Sequence, residues 1–156
     1  MAMSDEHWMR QALELAKNAG ASGEVPVGAI IVLNDLIVGS GFNKPIQTQD
    51  PTHHAEVVAI RQACAKLNNY RLSGCELFVT VEPCMMCAGA CVHARISRLI
   101  FGATEPKAGA VISQSQALAA PHLNHKVATL GGVLEKQCSA LMTNFFDRRR
   151  REKKHG

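Results

Sequence analysis

Short apolar strands alternate with helix-forming segments along this chain, and such alternation restricts a sequence to α/β folds. Apolar residues recur at three- and four-residue steps in some segments and run continuously in others. Helices on both faces of a central sheet are the expected result. The pattern predicts helices over 5–19, 54–67, 84–95 and 135–154, and strands near 27–33, 36–42, 75–81, 97–103 and 126–133, with Asn34-Asp35 as a hairpin turn.

The composition is that of one globular domain. The chain has 156 residues, of which 47% are hydrophobic, so it can bury a core without disulfide bonds. The sequence shows neither a signal peptide nor a run of about 20 apolar residues. We therefore expect one domain over residues 1–156, in the cytoplasm and with no membrane partner, where cysteine thiols stay reduced.

Three of the six cysteines lie in the segment VEPCMMCAGAC, residues 81–91. Pro83 ends the preceding strand and favours a helix that starts directly after it. Cys84 and Cys87 are three residues apart, so they share a face of the first helical turn, where the helix dipole favours thiolates. Cys91 lies one further turn along, and we interpret it as a buried core residue.

A metal explains this pair best, although a redox C-x-x-C remains possible. A structural zinc site needs four protein ligands, and the sequence offers no second close cysteine pair. A metal with fewer protein ligands is typical of a catalytic site. His54 and Glu56 open another predicted helix, and H-x-E followed by P-C-x-x-C is the signature of zinc-dependent nucleobase deaminases.

The chain also resembles bacterial tRNA-specific adenosine deaminases, within the cytidine deaminase superfamily. The resemblance rests on WMRQALELA, EVPVGAIIV, GFNKP, DPTHHAE, NYRL and VEPCMMCAGA, which spread over most of the sequence. It implies a three-layer α/β/α sandwich with a five-stranded mixed sheet, and a homodimer. It also implies one Zn²⁺ per chain, held by His54, Cys84 and Cys87, with Glu56 as the proton carrier. The implied reaction converts adenosine to inosine at the wobble position of a tRNA anticodon stem–loop.

The resemblance also suggests which residues contact the RNA. Asn43 would hydrogen-bond the adenine and Val27 would wall its pocket, although a turn residue after a strand also explains Asn43. Glu105 stands where related chains carry an aspartate near the substrate sugar. The remaining candidates are Phe146, Arg149 and Arg150.

The formal charge excess lies entirely in a basic C-terminal tail, residues 147–156. This segment has six Lys or Arg and two acids, whereas residues 1–146 hold eleven of each. Such a tail is either a phosphate contact or a solvated helix end, and composition favours neither.

Three other functions remain open. A deaminase of a free base or nucleoside, such as guanine or cytosine, would share every residue of the zinc site. A non-catalytic zinc-binding RNA partner would not need Glu56. A thiol redox protein would leave His54 and Glu56 without a role.

Overall fold

The computed structural model describes residues 2–155, and its elements follow the predicted order. The helices are α1 (Asp5–Ala21), α2 (Pro45–Thr48), α3 (Ala55–Leu67), α4 (Met85–His93) and α5 (Glu135–His155). The strands are β1 (Gly28–Leu33), β2 (Leu36–Phe42), β3 (Glu76–Val81), β4 (Arg98–Ala103) and β5 (Ala128–Leu130).

One five-stranded mixed sheet forms the centre of the fold, as the sequence predicted. Its strand order is β2-β1-β3-β4-β5. β1 pairs antiparallel with both β2 and β3, whereas β3–β4 and β4–β5 are parallel. The β1–β2 turn is also confirmed, since Asn34 and Asp35 have φ angles of 51° and 60°. Two consecutive positive φ angles are the requirement of a type I′ hairpin turn.

Helices cover both faces of the sheet because its central strands are apolar on both sides. In β1, Ala29 and Ile31 face a core that contains the small residues of α3, whereas Ile30 and Val32 face a second core with α1. The second core also takes Cys138 from α5. The period of two therefore yields the predicted three-layer α/β/α sandwich.

Two predictions at the element level were incomplete. The helix α2 was missed, because four residues are too few to show a helical period, although Pro45 at its first position favours a helix start. The fifth strand is only three residues long and is exposed, so little apolar burial extends it toward the predicted 126–133. Within the described residues, no helix has the length and apolar character needed to cross a membrane.

The topology brings four predicted site residues to one edge of the sheet. The strands β2, β3 and β4 run in the same direction, so their carboxyl ends lie together, beside the start of β1. Val27 precedes β1 and Asn43 follows β2, while Cys84 and Glu105 come shortly after β3 and β4. The edge where parallel strands end is a frequent position for ligand sites in α/β sheets.

Helix α3 lies unusually close to β2 because two glycines of that strand face it. A Cβ built at Gly41 would lie 2.6 Å from the carbonyl oxygen of Ala55 and 2.7 Å from Cβ of Val58. Gly39 faces the next turn of the same helix in the same way. The start of α3, which carries His54 and Glu56, is thus held directly against the sheet.

We predict that Gly41→Ala destabilises the protein by about 1–3 kcal/mol, because the added methyl group must push α3 outward. The matched control is Gly20→Ala in α1, whose new Cβ would lie 3.4 Å from Cβ of Pro26, an ordinary contact. Urea unfolding of both variants measures the difference. Equal stability of the two variants would contradict this account of helix placement.

Candidate functional site

The N-termini of α3 and α4 lie close together, and a predicted metal ligand occupies the N-cap position of each helix. His54 is the N-cap of α3 and Cys84 is the N-cap of α4, both with extended backbone angles. Neither side chain caps its own helix. Both side chains are therefore available for another partner, next to the positive ends of two helix dipoles.

The side chains of His54, Cys84 and Cys87 converge with the geometry of a tetrahedral metal site. Nδ1 of His54 lies 3.6 Å from Sγ of Cys84 and 3.5 Å from Sγ of Cys87. Zinc bonds of about 2.0–2.1 Å to nitrogen and about 2.3 Å to sulfur place tetrahedral N and S ligands about 3.5 Å apart. The described residues contain no other close group of three such ligands.

This His/Cys/Cys group is positioned to bind one metal ion, and its donors fit zinc. Imidazole and thiolate are the ligands that zinc prefers, and three protein ligands leave one position open. Cys91 is buried and lies outside the group, as the sequence predicted. The half-buried His53 lies outside it as well.

The charge of the site favours a cation. A hydrogen bond from the Cys87 thiol is the main cause that lowers the pKa of Cys84 to about 3, so Cys84 supplies a thiolate. The same hydrogen bond raises the pKa of Cys87. The hydrogen bond to Cys84 also raises the pKa of His54. A metal that takes all three ligands must therefore displace protons from the site.

Glu56 lies beside this group, in the first turn of α3, with only 4% of its surface exposed. Burial raises the pKa of its carboxyl to about 7, although its own backbone N–H and the charge of His54 act in the opposite direction. A carboxyl with this pKa exchanges protons near neutral pH, which is the property of a general acid–base group.

Asn43 is fixed by the start of α3. Its Oδ1 accepts a hydrogen bond of 2.9 Å from the backbone N–H of Ala55, between His54 and Glu56. Because the N–H of Ala55 requires an acceptor, it fixes Oδ1 of the Asn43 side chain, and the Nδ2 group of that side chain points away from α3. Val27 is buried nearby, since its carbonyl oxygen accepts from the backbone N–H of Asn43 at 3.1 Å.

The predicted RNA-contact residues fall into two groups. Glu105, Phe146 and Arg150 line one cavity of about 510 Å³. Arg149 lines a neighbouring cavity together with Phe146 and Arg150. It also donates to the carbonyl oxygen of Gly23 at 2.5 Å and lies over the ring of Phe145, 5.1 Å from its centroid. The structure therefore gives Arg149 a role in holding α5 to the loop after α1.

Sequence reasoning missed two buried carboxylates that hold loops around the site. Glu24 is fully buried and accepts from the backbone N–H groups of Ile46 and Gln47, so it holds the start of α2. Glu82 is 3% exposed and accepts hydrogen bonds from the loop that follows β4. Glu82 lies directly before P-C-x-x-C, but no sequence motif identifies the residues that donate hydrogen bonds to it.

Hydrogen bonding decides the charge of Glu82. Burial alone raises the pKa of this carboxyl, but hydrogen bonds from the Ser113 hydroxyl and from three backbone N–H groups lower it to about 2. Glu82 is therefore a carboxylate at neutral pH, and its charge is stabilised by the loop.

The fold and the donor set define a zinc-type deaminase, and comparison with known families agrees. The family model for the MafB19-like deaminases matches residues 3–150.

Individual proteins give a narrower result. The tRNA-specific adenosine deaminase of Haemophilus influenzae is 48% identical over 151 residues, which cover 96% of this chain and 87% of the relative. A solved structure from a study of A-to-I editing by tRNA:A34 deaminases is 41% identical, with a TM-score of 0.84. That match covers 86% of this chain and 98% of the other. This chain belongs to the tRNA-specific adenosine deaminase family.

A third protein is similar over a smaller part. The structure of a guanine deaminase from Bacillus subtilis is 40% identical with a TM-score of 0.63, and the match covers 65% of this chain and 66% of that one.

We predict that the protein binds one zinc ion per chain and releases protons as it does so, because Cys87 retains a proton in the hydrogen-bonded pair. Cys84→Ser and Cys87→Ser should each lose most of the metal. Cys91→Ser, on the same helix, is the matched control and should retain it. Elemental analysis measures the metal content, and loss of zinc from the Cys91 variant would contradict the assignment.

Proposed function

We propose that this chain catalyses the hydrolytic deamination of adenosine to inosine at the wobble position of a tRNA anticodon. The observation that carries the proposal is the buried Glu56 carboxyl beside the His54, Cys84 and Cys87 group. The near full-length similarity to tRNA-specific adenosine deaminases supports the choice of substrate. A tRNA substrate would place the enzyme's action in the cytoplasm.

The metal site would hold zinc through Nδ1 of His54 and the two cysteine sulfurs. When bound, zinc lowers the pKa of water and so makes hydroxide available near neutral pH. His54 would ligate as the neutral ring with its proton on Nε2, since Nδ1 faces the sulfurs.

Glu56 would carry protons between water and the base. Its carboxylate takes a proton from water and delivers it to the ring nitrogen next to C6 of the adenine. The water oxygen bonds to C6, and Glu56 passes the remaining proton of that oxygen to the amino group. The C6–N bond then breaks, ammonia leaves and C6 keeps the oxygen as a carbonyl. One carboxyl can serve in both directions because its pKa of about 7 is close to the working pH.

Asn43 and Val27 would hold the base in this position. With Oδ1 bound to the N–H of Ala55, the Nδ2 group of Asn43 is left to donate to an acceptor atom of the purine. Val27 would supply an apolar wall beside it. The adenosine of an anticodon loop is already unpaired, so its transfer into a pocket costs little.

Phe146 and Arg150 would contact the stem–loop together with Glu105, because the three line one cavity. Both Phe146 and Arg150 also border a second cavity of about 740 Å³, next to the exposed Ile46. An aromatic ring and a cation in one groove suit an unstacked base and its phosphate. Arg149 would contact the RNA from this second cavity, which it also lines, while its hydrogen bond to Gly23 holds α5 in place.

A free base is a less suitable substrate. The guanine deaminase structure from Nitrosomonas europaea covers 93% of this chain but is only 24% identical to it. The tRNA-specific relative from Haemophilus influenzae is 48% identical over 96% of this chain. A single base also gives no role to the exposed cations that continue along α5.

We predict that Glu56→Gln retains zinc and stem–loop binding but lowers turnover by about 100-fold or more, because an amide cannot carry the proton. Glu76→Gln, at the partly exposed start of β3, is the matched control and should keep normal turnover. Inosine formation from an anticodon stem–loop measures both. Normal turnover in the Glu56 variant would remove it from the mechanism.

The basic tail should contribute affinity without sequence preference. Residues 147–155 continue α5, and the side chains of Arg148, Arg151, Lys153 and Lys154 are exposed. Arg150 instead pairs with Asp147. Phosphate contacts set affinity and register, and each lost contact should reduce the log–log salt slope by somewhat under about one unit.

We therefore predict that replacing those four exposed cations with glutamine weakens stem–loop binding and flattens its salt dependence, while zinc content stays constant. Binding titrations at several salt concentrations measure the slope. Parallel lines of equal affinity would show that the tail is only a solvated helix end.

We also propose that the protein is a homodimer, as its family resemblance implies. The supporting feature is a groove of about 660 Å³ along α4, which includes Met85, Gly89 and Leu118. Met85 is 78% exposed there, although an apolar side chain of this size is more stable when covered.

We predict that Gly89→Arg converts a dimer into a monomer without loss of fold. Within the described chain, a Cβ at Gly89 meets no atom outside its own stretch of helix within 4 Å, so the chain has room for a side chain that would block a partner. Light scattering gives the mass of both proteins. A monomeric and fully active wild type at micromolar concentration would overturn the proposal.

A further inference from the structure

Glu82 has no part in the chemistry above, yet it is among the most heavily hydrogen-bonded side chains of the protein. Its carboxylate accepts from the backbone N–H groups of Glu105, Val111, Ile112 and Ser113, at 2.8 to 3.1 Å. The Ser113 hydroxyl adds a fifth hydrogen bond at 2.5 Å. Residues 104–113, which we name the β4 loop, thus fold around one buried charge.

The backbone of the β4 loop lies so close to the Glu82 carboxylate that position 109 has no room for a side chain. A Cβ built at Gly109 would lie 2.4 Å from Cδ of Glu82. The next residue, Ala110, donates its backbone N–H to the carbonyl oxygen of Pro83 at 2.9 Å. The loop is therefore fixed to Glu82 and Pro83, the two residues directly before Cys84.

One end of the β4 loop forms part of the proposed RNA site. Thr104, Glu105, Pro106 and Lys107 line the same cavity as Phe146 and Arg150. Glu105 is the residue of this end that Glu82 holds directly, through its backbone N–H at 3.0 Å. The carboxylate of Glu105 also accepts from the N–H of Lys107, which fixes the turn.

We propose that Glu82 is a positioning residue, which holds the β4 loop so that Glu105 contacts the RNA substrate. This inference rests on the function proposed above. Charge-assisted hydrogen bonds to backbone N–H groups are shorter and stronger than neutral ones, so several of them on one carboxylate hold the loop in a defined position. A displacement of the loop by about 1 Å would move Glu105 out of the position in which it can contact the substrate directly.

Glu82→Gln tests the proposal, because an amide of the same size turns an NH₂ group toward donors and loses part of the set. We expect KM for the anticodon stem–loop to rise about tenfold, with kcat changed less than about threefold and one zinc still bound. Glu76→Gln, at the other end of β3, is the matched control and should leave KM unchanged. Ser113→Ala, which removes a single hydrogen bond and keeps the carboxylate, should raise KM about two- to threefold.

The route through Glu105 is tested by a double-mutant cycle. In a Glu105→Ala background, Glu82→Gln should raise KM no more than about twofold, because the contact that it positions is already absent. A full tenfold effect in that background, or an unchanged KM in Glu82→Gln, would overturn the proposal. So would zinc loss or unfolding that accounts for the whole effect in both Glu82→Gln and Ser113→Ala.

The outcome is separable from that of the proposed function. If the wild-type protein forms no inosine, the function itself fails before any variant is compared. If the wild type is active and the KM of Glu82→Gln equals that of the wild type, only the positioning role fails.

Discussion

The meeting of two helix N-termini at one edge of the sheet is the constraint on which the site depends. His54 begins α3 and Cys84 begins α4, and their ligand atoms lie 3.6 Å apart. The positive ends of both dipoles face the site, which favours a thiolate at Cys84 and offsets part of the cost of burying Glu56. Gly39 and Gly41 let α3 lie close enough to β2 for this meeting to occur.

Features that depend on local spacing were predictable from the sequence. Cys84 and Cys87 lie one helical turn apart, and His54-x-Glu56 lies at a helix start, so residue spacing alone indicates the donor set. The five strands and four long helices followed from apolar periodicity. The arrangement of the site residues at one sheet edge was not predicted, because it requires the strand order as well as the strands.

Features that depend on distant partners were not predictable. The hydrogen-bond partners of Glu24 and Glu82 lie 22 to 31 residues away along the chain. The sequence alone does not distinguish a buried glutamate of this kind from one on the surface. The partner of Arg149, the carbonyl oxygen of Gly23, is 126 residues distant. These three contacts share one function in the structure, since each fixes a loop or helix end near the site.

The proposed mechanism requires that the chain act on adenosine within an RNA loop. The most direct test incubates the zinc-loaded protein with an anticodon stem–loop that carries a wobble adenosine, beside free adenosine, guanine and cytosine. Nucleoside chromatography then identifies the products. We expect inosine from the stem–loop and no product from the free compounds. Deamination of guanine or cytosine without inosine in the RNA would contradict the account.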